Sequence, residues 1–176
     1  MVRAFIGIFF PEDVKEYLVS LQRQLEALQL KAKFVEPENL HISLSFLNNV
    51  ERDELEAIKS VLDKISERYT KFELILGNII LIPNEKFTRV IALEVKSDIL
   101  ESIRKEIVKT VDGESNPTHV TLARVKTIEN KPLFIKGISK MVYKETSVKV
   151  DSICLIESVL TRTGPIYTIL HKSYLK

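Results

Sequence analysis

Two short runs of this 176-residue chain carry the residues best suited to chemistry: HISLSF at 41–46 and HVTLAR at 119–124. They share the pattern His-x-(Ser/Thr)-Leu. Residues i and i+2 of a strand lie on one face, roughly 7 Å apart. The first run is therefore expected to place His41, Ser43 and Ser45 on one face, with Leu40, Ile42, Leu44 and Phe46 on the other. In the second run His119, Thr121 and Ala123 stand opposite Val120 and Leu122. Two such polar faces brought together make a cleft with two imidazoles and two hydroxyls.

That set has a chemical meaning. An imidazole with an ordinary pKa near 6.5 is available in either protonation state at neutral pH. One neutral ring can take a proton while one charged ring gives one, which suits phosphodiester cleavage without a metal. Hydroxyls two residues on can donate to the non-bridging phosphate oxygens and stabilise the charge that develops there. The bland reading is real: single H-x-S or H-x-T patterns are common, and a lone strand histidine usually satisfies a backbone group. Two copies with the same alternation, each followed by leucine, are harder to ascribe to chance.

Other chemistries fit less well. His171 is the only further histidine, and neither motif contains Asp or Glu, so the ligand set of a metal site is missing from the sequence pattern. His171 reads as surface or structural. No G-x-S-x-G, P-loop or G-x-G-x-x-G is present. The net charge is +2, from 26 basic and 24 acidic residues, which argues against a protein that coats nucleic acid but not against one that grips it locally.

The elements that must position the motifs alternate along the chain. Residues 2–9 read as a strand. Pro11, Glu12 and Asp13 open a helix over 11–30, with Val14, Leu18, Leu21, Leu25 and Leu28 at helical spacing. Short strands are expected at 32–35 and 40–46, a helix at 51–68, and strands at 72–82 and 88–95. Ser97 is placed to cap a helix at 98–111 whose buried stripe is Ile99, Ile103 and Ile107. After a loop at 112–118 come the second motif strand at 119–125, a helix at 132–142 and a closing hairpin around TRTGP. The class is α+β, antiparallel sheets with helices on one face, in one 1–176 unit with a hint of internal duplication. The single cysteine, Cys154, excludes an internal disulfide and reads as buried; the cytoplasm is the expected location, with no membrane span.

RAFIGIFFPEDV (3–14), KFVEPENLHISLSFL (33–47), THVTLARVK (118–126) and IESVLTRTGPIYTIL (156–170) together resemble the two-histidine (2H) phosphoesterase superfamily. The resemblance is nearest to the RNA 2′,3′-cyclic phosphodiesterases, also called RNA 2′-5′ ligases, and runs the whole length. It implies a bilobal fold, one lobe contributing HISL (41–44) and the other HVTL (119–122), with the cleft between them. It implies metal-independent, cofactor-free hydrolysis of RNA 2′,3′-cyclic phosphate ends to 2′-phosphomonoesters by a monomer, with a reverse ligation. His41 would be the proton donor and His119 the proton acceptor; Ser43, Thr121 and, more weakly, Arg124 would bind phosphate. Strict alternation points Arg124 away from His119. Ser43 stands where the family usually has threonine, and the loop before His119 is short. Two alternatives stay open: turnover of small cyclic nucleotides, and a module that binds a nucleotide or RNA end without turnover.

Overall fold

A computed structural model describes residues 1–176. In chain order the elements are β1 (Val2–Phe9), α1 (Glu12–Glu26), β2 (Leu30–Phe34), a 3-10 turn (Pro37–Asn39), β3 (His41–Val50), α2 (Glu54–Ser66), β4 (Phe72–Ile82), β5 (Val90–Lys96), α3 (Asp98–Val111), β6 (His119–Ile128), α4 (Lys131–Ser139), β7 (Thr146–Val150), β8 (Ser152–Leu160) and β9 (Pro165–Tyr174).

The strands form one antiparallel sheet in the order β7-β4-β5-β6-β3-β1-β8-β9, with β2 paired to β6 off this path. The α+β, antiparallel character is as expected. The two expected sheets are the two halves of this single sheet, joined where β3 meets β6 through one registered pair, Ile42 opposite Val120.

All four helices contribute to one apolar core: Val14, Leu18, Leu21 and Leu25 from α1, Leu62 and Ile65 from α2, Leu100, Ile103 and Ile107 from α3, and Phe134 from α4. The helices cross over between the halves. α1, which follows β1, contacts β6, whereas α3, which follows β5, contacts β3. Burying each helix's apolar stripe thus clamps the two halves together.

Several expectations shift. α1 stops at Glu26, because Leu30–Phe34 is taken by β2 with Ala32 and Phe34 packed against the core and the lysines outward. Ser97 does cap α3, accepting from the Leu100 N–H at 3.2 Å. The buried stripe of α3 uses Leu100, however, and Ile99 is 43% exposed. Residues 146–160, whose pattern reads as a single strand of the closing hairpin, break at Asp151. The first part, β7, pairs with β4 at the far edge of the sheet, while β8 pairs with β1 and β9. No helix is long and apolar enough to cross a membrane.

Candidate active site

β3 and β6 run antiparallel through the middle of the sheet, and Ile42 and Val120, both fully buried, face the helices. One step either side, this register sets His41 beside Thr121 and Ser43 beside His119 on the opposite face. The two imidazoles are then diagonal neighbours, roughly 7–8 Å apart at the backbone. A local two-fold axis between Ile42 and Val120 relates His41 to His119 and Ser43 to Thr121. The outer strands obey it too: β1 pairs Phe9 with His41, and β5 pairs Glu94 with His119.

Both rings are fixed in the same way. The Nδ1–H of His41 donates to the Asn39 carbonyl at 2.6 Å, and that of His119 to the Pro117 carbonyl at 2.8 Å. Each bond leaves Nε2 as the nitrogen able to take or give a proton. The Ser43 hydroxyl donates to His41 Nε2 at 2.9 Å. Asn39 was missed from the sequence. It is buried, and its side-chain amide donates to the Pro165 carbonyl at 3.0 Å, so one residue orients His41 and anchors the β8–β9 turn. The only signal for it was its position, two residues ahead of the histidine.

The surroundings of the two histidines break the symmetry. His41 is ringed by Phe5, Tyr167 and Phe9, with ring centroids at 4.9, 5.2 and 6.0 Å. Burial lowers its pKa below the ordinary 6.5; the Asn39 carbonyl acts the other way, and the positive charges of His119 and Arg124 lower it further. Phe5 and Phe9 lie outside the main core on this aromatic wall. Between them Gly7 lies opposite Ser43, and a Cβ there would stand 2.5 Å from the Ile42 carbonyl oxygen. The bare backbone lets β1 close on the first motif.

Two expectations fail for one physical reason, a bulge at the same place in both halves. β1 pairs Ile6 with Ser45 and Gly7 with Ser43, leaving Leu44 as the extra residue; β5 pairs Ile91 with Ala123 and Ala92 with Thr121, leaving Leu122. At a bulge two consecutive residues turn the same way. Ser45 therefore does not share the cleft with His41 and Ser43. It is fully buried beside Leu44, its hydroxyl unpartnered and close to Gly113. Ala123 is buried beside Leu122 in the same manner. The reset alternation brings Arg124 to the cleft face, where its charge reaches both His41 and Tyr167. Strict alternation had pointed it away.

The loop before His119 is strapped down. Phe46 and Glu114 exchange two backbone hydrogen bonds at 2.6 and 2.9 Å, and Arg104 donates to the Ser115 hydroxyl. His171 lies elsewhere, donating to Asp63 on α2 at 2.8 Å; Ser173 donates to the same oxygen at 2.6 Å. That cluster docks α2 on β9, as a structural histidine would. Cys154 is buried, and burial pushes its thiol pKa up.

This arrangement can move two protons at one phosphorus: two Nε2 atoms and two hydroxyls on one face, with an unpaired guanidinium beside them. The family model described as LigT like phosphoesterase matches residues 8–92, which hold His41 but stop short of His119. Curated relatives run across both motifs. One from Methanothermobacter thermautotrophicus, named RNA 2′,3′-cyclic phosphodiesterase, is 32% identical over 95% of both chains. Another of that name, from Methanocaldococcus jannaschii, is 32% identical over 96% of this chain and 98% of its own. Among solved structures, E. coli LigT complexed with 3′-AMP superposes with a TM-score of 0.78 at 19% identity, covering 99% of this chain and 98% of that one. A Thermus thermophilus protein gives 0.77 at 24% identity, covering 98% and 97%. The 32% identity to these two relatives over nearly the whole chain, together with the family model, makes the chain a member of the LigT-like phosphoesterase family, within the two-histidine superfamily.

Proposed function

We propose that this protein hydrolyses RNA 2′,3′-cyclic phosphate ends to 2′-phosphomonoesters, with His41 and His119 as acid and base. The observation that carries the reading is the matched pair of Nδ1–H to carbonyl bonds, which leaves two Nε2 atoms on one sheet face. The names of the full-length relatives agree with it.

In this mechanism a water molecule gives a proton to His119 Nε2 as its oxygen bonds to phosphorus. The P–O3′ bond breaks, and His41 Nε2–H protonates the departing 3′ oxygen. The products are a 2′-phosphate and a free 3′-hydroxyl. Ser43 and Thr121 donate to the non-bridging oxygens, and Arg124 offsets the phosphate charge. A 5′-hydroxyl in place of water gives a 2′-5′ linkage by the same proton transfers. The lowered pKa of His41 favours its neutral form in the free protein. The anionic phosphate entering beside it raises that pKa and restores the donor form. The two halves of the sheet act as one catalytic unit, each lending one motif, in a monomer placed in the cytoplasm.

The test is to incubate an oligoribonucleotide ending in a 2′,3′-cyclic phosphate and identify the position of the product phosphate. A 2′-phosphate supports the reading. A 3′-phosphate, or tight binding with no product, replaces it with the other ring-opening or with a binding module.

A further inference from the structure

Beyond the reacting phosphate, one arm of the sheet carries a run of cations. After Val120, β3 leaves β6 and β2 takes its place, pairing Phe34 with Ala123, Lys33 with Arg124, Ala32 with Val125 and Lys31 with Thr127. Directly paired residues share a face, so Lys33 lies beside Arg124 on the cleft side. A second bulge on β6 makes Lys126 the extra residue, and Lys126 and Thr127 are both exposed while Val125 and Ile128 pack against the core. Lys31, Lys33, Arg124 and Lys126 therefore form one outward strip continuous with the cleft.

The strip is poorly neutralised. Lys31 lies 3.9 Å from Glu129 and Lys33 3.9 Å from Glu36, whereas Arg124 and Lys126 have no carboxylate partner. Lys33 also donates to the Thr163 carbonyl at 3.0 Å, which brings the β8–β9 turn and its exposed Arg162 alongside. The two-fold axis maps Arg124 onto Phe46 and Lys126 onto Asn48, both uncharged. The mate arm carries a single cation, Arg3 on β1 opposite Asn49, whose charge reaches Tyr167, so the run of cations on β2 and β6 is not a by-product of duplication.

We infer that this strip binds the sugar-phosphate backbone of the nucleotides 5′ of the reacting end, so that the preferred substrate is an RNA strand rather than a single nucleotide. The inference rests on the proposed function. A 2′,3′-cyclic phosphate is by its chemistry a 3′ terminus, so the rest of the strand can leave only on its 5′ side. Five residues separate Thr121, beside His41, from Lys126, a span of about 16 Å at strand rise. That is beyond the terminal nucleotide and within reach of the phosphates that precede it. Cations without base-reading partners hold a backbone independently of sequence.

The experiment compares wild type with the double variant Lys31→Gln/Lys126→Gln. Two readouts are taken: kcat/KM on a cyclic-phosphate oligoribonucleotide and on a nucleoside 2′,3′-cyclic monophosphate, and the salt dependence of binding to a fluorescein-labelled single-stranded oligoribonucleotide. The expected result is a loss of about tenfold on the oligomer, carried by KM, with mononucleotide turnover within twofold of wild type. The slope of log binding constant against log salt should shallow by about 1.4, at about 0.7 per lost single-strand contact. An unchanged slope, or equal losses on both substrates, overturns the inference. If wild type turns over neither substrate, the proposed function fails, and the salt slope alone still decides the strip.

Discussion

His41 and His119 donate their Nδ1–H groups to carbonyls two residues upstream, Asn39 at 2.6 Å and Pro117 at 2.8 Å, in copies related by a two-fold axis through the β3–β6 junction. The copies then diverge: His41 stands against Phe5, Phe9 and Tyr167, while His119 lies opposite Glu94 in the backbone register with β5. A duplicated geometry with unlike surroundings is what two opposite proton transfers require.

The pH profile of kcat/KM follows from this divergence. In the proposed mechanism the active form needs His41 charged and His119 neutral, so the expected profile is a bell. Burial lowers the His41 pKa, so its limb lies on the acid side of 6.5. Tyr167→Ala opens the wall to water and should move that limb upward in pH. A limb that stays put in this variant would show that the aromatic wall does not set the pKa.

Acid and base can be told apart by the leaving group. On the natural substrate, His41→Ala and His119→Ala should each lose about 10²–10⁴ in kcat. With sulfur replacing the 3′ oxygen, the departing thiolate needs no proton. His41→Ala should then recover most of its loss, and His119→Ala should not. Recovery by His119→Ala instead would exchange the two roles.

Gly7→Ala should damage both stability and turnover. The new Cβ would meet the Ile42 carbonyl oxygen at 2.5 Å, and Ile42 lies between His41 and Ser43. Forcing β1 and β3 apart should cost about 1–3 kcal/mol, the range for overpacking. Chemical denaturation measures it, and a variant as stable and active as wild type would deny the close approach.

The Asp63 cluster bears on stability rather than chemistry. Burial alone would raise the Asp63 pKa, but the hydrogen bonds from Ser173 and His171 and the charge of His171 outweigh it, and the net shift is downward from 3.8. A carboxyl depressed by folding contributes stability above its unfolded pKa and loses it as pH falls through the folded one. The Asp63 side chain is 49% exposed, so solvent screening keeps the contribution to about 1 kcal/mol or less. Asp63→Asn should lower the melting temperature slightly at pH 7, lose that difference in acid, and leave turnover unchanged. A turnover defect in this variant would place the cluster in the catalytic machinery.

The sequence made the two motif strands legible because each alternates a core face with a polar one, and it made α3 legible because Ser97 caps it. The bulges at Leu44 and Leu122 were not legible. They arise from how β3 and β6 pair with β1 and β5, strands distant in sequence, and nothing in HISLSF or HVTLAR marks the extra residue. Ser45 was misplaced for that reason, and strict alternation turned Arg124 away from the cleft where the family resemblance placed it. The break at Asp151 was hidden because β7 and β8 both carry strand-forming β-branched residues, and only the sheet order sends them to different neighbours. Leu28 fits the helical spacing of α1, yet the pairing of Leu30 with Ile128 draws the chain into β2.

The most direct measurement of the central claim is the initial rate of cyclic-phosphate RNA hydrolysis in EDTA for wild type, His41→Ala, His119→Ala and the double variant. Two imidazoles serving one phosphorus act as a unit, so each single variant should lose at least about 10² and the double variant no more than the worse single one. Near-wild-type turnover in either single variant, or activity that appears only on adding metal, would contradict it.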